Sequence, residues 1–153
     1  MTHAPSTRAP LPTPLYERDL YAWVQEQVRL LRTGRLNEID AENLAEEISD
    51  VGSNEYDKLE SALRILLAHM LKWDRQPKKR SRSWENTIAI QRNHAQRQLR
   101  KNPSLKSRIN EAVSDAFSVA RRIASSETDM DLEEFPDACP YDWDAIMNRE
   151  HKR

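Results

Sequence analysis

The sequence predicts an all-α protein, a bundle of about four amphipathic helices, one long and bent, with a short C-terminal helix and an extended strap. Three observations carry this. Apolar residues recur at three- and four-residue spacing through most of the chain, proline and capping residues punctuate it at helix-length intervals, and no segment alternates apolar and polar residues long enough for a strand.

Residues 1–14, with Pro5, Pro10, Pro12 and Pro14 among small polar residues, predict a mobile arm. Residues 15–150 then read as one helical domain. Tyr16, Leu20, Trp23, Gln27, Leu30 and Leu31 make the face of a first helix, stopped by Gly34. Asp40 caps the next, with Ile39 and Leu44 at the positions of a hydrophobic staple. From there the apolar series runs Leu44, Ile48, Val51, Leu59, Leu63, Leu66, Met70 and Trp73, with Glu55 the one polar residue where the period asks for an apolar one. The phase survives Gly52, which favours one long bent helix over a hairpin in which Gly52-Ser53-Asn54 is a C-cap and N-cap.

Pro77 ends that helix, and Ser83 caps a third with Trp84, Ile88, Gln91, Ala95 and Leu99 on one stripe, running to about Lys101. Asn102-Pro103 opens a fourth, striped by Leu105, Ile109, Val113, Ala116, Ala120 and Ile123. Phe135, Pro136, Cys139, Pro140 and Tyr141 form the strap, and Asp142 caps the short last helix of Trp143, Ile146 and Met147.

Composition excludes several functions. Gly34 and Gly52 are the only glycines, too few for a phosphate-cradling loop. The single Cys139 rules out an intrachain disulfide, no apolar run reaches the roughly 18 residues of a membrane span, and no signal-peptide core opens the chain, so cytoplasmic residence is expected. A net charge of −1 conceals segregation: residues 38–61 are acidic, 72–108 basic, and 127–144 acidic again. Mutual neutralisation across packed helices is the favoured reading of these blocks.

Candidate chemistry is thin. His69, Lys72, Trp73 and Gln76 share one helix face, and a hairpin at the Pro77–Arg82 loop sets them opposite Trp84, Thr87, Ile88, Gln91 and Arg92. His69, Lys72, Gln91 and Arg92 are thus weak candidates for hydrolysis. Glu46 and Glu47 with His69 lack a geometry that brings them together as metal ligands, and His94 and His151 have no ligand-spaced partners, so neither a metal nor any cofactor is predicted. Lys78, Lys79, Arg80 and Arg82 between Trp73 and Trp84 could grip phosphates, while the two tryptophans fall on core stripes. Cys139 reads as a small buried hydrophobe.

Taken in order, Tyr16, Asp19 and Trp23, Asn43 to Ile48, His69 to Trp73, Pro77, Ser83-Trp84, Thr87-Ile88, Arg92, Pro103-Ser104-Leu105, Glu127-Thr128, Phe135-Pro136 and Cys139-Pro140 resemble a bacterial family, domain of unknown function 29. The similarity covers about Leu15 to Asn148. It implies an all-helical bacterial protein and lends no activity. A binding or adaptor module is therefore the expectation, with no membrane association, an unidentified protein or polyanion partner, and a monomer or weak homodimer. Polyanion binding through residues 72–108 and a hydrolase centred on His69 are the alternatives.

Overall fold

The computed structural model describes residues 12–153. Most of the expected arm, residues 1–11, lies outside the described residues. Among these there are six helices and no strand: α1 (Leu15–Arg18), α2 (Leu20–Arg32), α3 (Ala41–Arg75), α4 (Arg82–Lys101), α5 (Ile109–Thr128) and α6 (Trp143–Asn148). The all-α class is the one the sequence predicts. The chain divides into two compact units, one ending at Asp50 and one spanning Val51–Arg153.

In the first unit the helix expected to run unbroken from Leu15 is interrupted at Asp19. Its φ of −153° leaves helical space, and its carboxylate accepts the Ala22 N–H at 2.9 Å, making it the N-cap of α2. α2 ends as expected at Gly34, whose φ is 71°, with the Arg35 N–H on the Leu30 carbonyl at 2.9 Å and the Gly34 N–H on that of Leu31 at 3.2 Å. Asp40 then caps α3 through the Asn43 N–H while also accepting the Trp23 indole N–H at 3.1 Å. The buried Gln27 accepts the Asp40 N–H at 2.7 Å, and Tyr16 donates to Glu47 with its ring edge-on to Trp23. A core of Trp23, Gln27 and Leu30 is thus small, with the Trp23 indole and the Gln27 carbonyl oxygen both tied to Asp40.

In the second unit α3 stays helical through Gly52, Ser53 and Asn54, so the long helix and not the hairpin is realised. Leu59, Leu63, Leu66 and Met70 are fully buried, whereas Ile48 in the first unit and Val51 in the second, expected on the same core stripe, are 68% and 62% exposed. Val51 is uncovered because α4 ends opposite Glu55. There Gln98 donates to the Glu55 carbonyl and carboxylate at 2.8 and 2.6 Å, and Asn102 Nδ2 to the carboxylate at 2.9 Å.

α4 returns antiparallel to α3 after a 3-10 turn at Pro77–Lys79. Its N-cap is Ser81, not Ser83: the Ser81 hydroxyl accepts the Trp84 N–H at 3.2 Å, and Ser83 is exposed inside the helix. Pro103 opens a 3-10 turn, Pro103–Arg108, before α5, because the Asn102 side chain expected to cap a helix there is taken by Glu55 and the Gln98 carbonyl. α5 runs parallel to α3, tied by Tyr56 to Asp115 and by Lys72 to Glu127.

The strap is held by side chains aimed at carbonyls. Arg121 donates to Leu132 and Phe135, and Arg92 to Ala145 and Ile146 at the end of α6, whose Asp142 cap is as predicted. Asp74 receives the Tyr141 hydroxyl at 2.7 Å and both Arg149 nitrogens. His151 is buried edge-on to Trp73 at 5.4 Å.

Three outcomes test this fold. Trp73→Ala, at 2% exposure, should lose about 3 to 5 kcal/mol in urea denaturation, and Trp84→Ala less, since Trp84 is half-buried. Gly52→Ala, with nothing within 4 Å of an added Cβ, should gain about 0.5 to 1 kcal/mol of helix stability, while Gly34→Ala should lose about as much at its positive φ. Burial, then the nearby Arg92 and Arg149, holds His151 below its ordinary value despite Asp74, and burial lowers His69. The unfolded chain therefore takes up more protons below about pH 6.5, and the melting temperature should fall as pH drops from there. His151→Gln should flatten that slope.

Candidate polyanion-binding face

The sequence's hydrolytic candidates are placed in separate structural roles. His69 is half-buried with Nδ1 donating to the Ile65 carbonyl at 2.9 Å, which fixes its neutral tautomer. The Lys72 ammonium pairs with Glu127 at 2.5 Å and sits 4.7 Å over the Trp84 ring. Arg92 spends its guanidinium on α6, and no hydrogen bond joins any two of His69, Lys72, Gln91 and Arg92 among the described residues. Gln91 instead lines a groove of about 640 Å³ between α3 and α4 with Asp57, Ser61, His94 and Arg97. Ser61, His94 and Asp57 are the residue types of a nucleophilic triad, but no hydrogen bond connects them among the described residues, so the geometry that activates a hydroxyl is missing. Cys139 is half-buried, with burial raising its thiol above the ordinary value, which suppresses the reactive thiolate.

Of the loop cations, Lys78, Lys79 and Arg82 are exposed and have no ion-pair partner among the described residues. Arg80 differs. It donates to the Trp73 carbonyl at 2.9 Å with its guanidinium 4.9 Å from that ring, so it anchors the loop and does not extend from it.

Arg82, expected from the sequence as a phosphate-gripping cation, heads a row on the outer side of α4 whose other members sequence reasoning missed. Arg82, Asn86, Ala89, Asn93, Gln96, Arg97 and Arg100 recur at three- and four-residue steps, all exposed. Their polar members are cationic or amide, and none makes a hydrogen bond or ion pair to protein among the described residues. Glu85, the only acid in α4, is turned to Arg153, accepting its backbone N–H at 2.8 Å. Over 20 residues this face extends about 30 Å. Lys78 and Lys79 lead into its start and Lys106 follows its end.

Neutralisation between the charge blocks is partial. Lys72 pairs with Glu127 and Lys101 with Glu55, but Arg75, Arg97, Arg100 and Lys106 remain, with the loop cations, exposed and unpaired among the described residues. Such a surface can hold phosphate or sulfate groups through charge and bases or sugars through its amides.

A family model described as Domain of unknown function DUF29 matches residues 15–151. No curated protein and no solved structure matches the chain.

Proposed function

The chain belongs to the DUF29 family, a membership that assigns no activity, and we propose from its geometry that it is a binding module whose ligand is a polyanion held on the outer face of α4. The observation that carries this is the absence of any free acid on a helix face bearing Arg82, Arg97 and Arg100 with Asn86, Asn93 and Gln96 between them. Internal neutralisation would have placed acids against these cations. Cations left unpaired at a surface release counterions when a polyanion binds, which is a favourable contribution available without any deep pocket. The reading suits a cytoplasmic bacterial protein acting as a monomer or weak dimer, and no helix among the described residues is long and apolar enough to cross a membrane.

A second reading, an adaptor for a protein partner, draws on the first unit, where Tyr21, Leu36 and Ile48 are 76%, 61% and 68% exposed. The cation face is preferred because its composition points to one ligand chemistry.

Binding of a labelled single-stranded oligonucleotide, followed by anisotropy, should weaken steeply with salt. Replacing Arg82, Arg97 and Arg100 with glutamine should reduce the slope of log affinity against log salt by about 2. The melting temperature should hardly change, because these side chains are exposed and make no hydrogen bond or ion pair among the described residues. Arg80→Gln, by contrast, should lower stability and affect binding only through the loop. An absence of binding to any polyanion at low salt would end the proposal.

A further inference from the structure

Beside the cation face, the end of α4, the Pro103–Arg108 turn and α6 enclose a groove of about 310 Å³. Buried Leu99 and Met147 contribute its aliphatic lining, half-buried Trp143 an aromatic one, and exposed Arg100, Lys106 and Gln96 its polar edge.

Three features separate this groove from a packing defect. Arg100 and Lys106 have no ion-pair partner among the described residues, so their charge is available to a ligand. The Trp143 indole N–H makes no hydrogen bond to protein among the described residues, although the ring is held in place as the first residue of α6 against the core. The acids on either side of it are engaged within α6: Asp142 accepts the Ala145 N–H at 2.8 Å and Asp144 the Asn148 amide at 2.8 Å.

An aromatic ring beside an aliphatic lining, edged by two cations, complements a flat ring that carries phosphates. Every nucleobase offers a π-face, so stacking on an indole tolerates any sequence, and flanking phosphates fall to the cations. The geometry points to this groove as a base-stacking subsite for single-stranded nucleic acid, continuous with the α4 face through Arg100. The inference rests on the polyanion reading and names its ligand class. A duplex keeps its bases stacked inside, and a sulfated polysaccharide has no aromatic ring, so neither uses Trp143.

The test compares a single-stranded oligonucleotide, a duplex, heparin and a nucleoside monophosphate as probes of the intact chain. Trp143→Ala should lower affinity for the single strand about tenfold and leave its salt slope unchanged, since no charge is removed. Heparin affinity should stay as in the parent, which also reports that the variant is folded. Trp143→Phe should retain most of the single-strand affinity. Should Trp143→Ala melt early, Trp143→Leu keeps apolar packing without the indole face and should show the same loss. Equal single-strand and heparin losses, or none, would overturn the subsite while leaving the polyanion reading intact. A monophosphate competing as well as the strand would overturn the assignment to a strand. Failure of all four probes to bind would overturn both proposals together.

Discussion

The Glu55 carboxylate occupies a position where the period of α3 asks for an apolar side chain, and there it gathers Lys58, Asn102, Gln98 and Lys101. The hydrogen bond from Lys58, then those from Asn102 and Gln98, outweigh burial and pull its pKa down to about 2, so the charged form persists well below neutral pH. Its effect is positional. Joining α3 at residue 55 to α4 at residue 98 fixes how the two antiparallel helices slide against each other, and that register brings the Lys72 ammonium over Trp84 at the opposite end. With Ile88, Ala95 and Leu99 turned inward by the same register, Arg82, Asn93, Gln96 and Arg100 can only face solvent. The same carboxylate claims Asn102, and α5 begins without a side-chain cap after six residues of 3-10 turn. One half-buried polar hub thus sets both the outward face of α4 and the route to the next helix.

The arginines divide by what their guanidinium groups meet. Arg80, Arg92 and Arg121 donate to backbone carbonyls, in the last turn of α3, in α6 and along the strap. A planar fork with several donors suits that task better than an ammonium would. Arg75, Arg82, Arg97 and Arg100, by contrast, are exposed and donate to no protein group among the described residues. Net charge near zero conceals the difference between the two groups, because a count of acids and bases records neither burial nor direction.

Much of the architecture was legible because it is written in local chemistry. Asp40, Asp142, Gly34 and Pro77 each act through the few residues beside them, and the apolar period of α3, α4 and α5 was enough to identify the helices and most of their buried faces. Where expectation and structure part, a competing partner is responsible. The helix face expected from Tyr16 to Leu31 runs across Asp19, yet the Asp19 carboxylate can satisfy the Ala22 N–H only by leaving helical geometry. Ser81 and Ser83 are both capping residues placed ahead of Trp84, and the local pattern does not choose between them. Asn102 was diverted by Glu55, 47 residues away. The cation face of α4 was hidden for another reason: its members were counted as charge in a segment, while the information lay in their angular position and in the lack of acids beside them.

At six residues, α6 is too short to persist alone in water. It exists because Ile146 and Met147 are buried and because Arg92, more than fifty residues earlier, takes its last carbonyls. The Trp143 groove therefore has no counterpart in the denatured ensemble, nor in any partly opened state in which the strap has detached. Whatever occupies it draws the chain toward the fully closed state by mass action, and transient detachment of the strap weakens apparent affinity by the fraction of molecules open. Substitutions along Arg92, Asp74 and Arg149 would thus alter ligand affinity from a distance, through the closing equilibrium of the strap and without contact to the ligand.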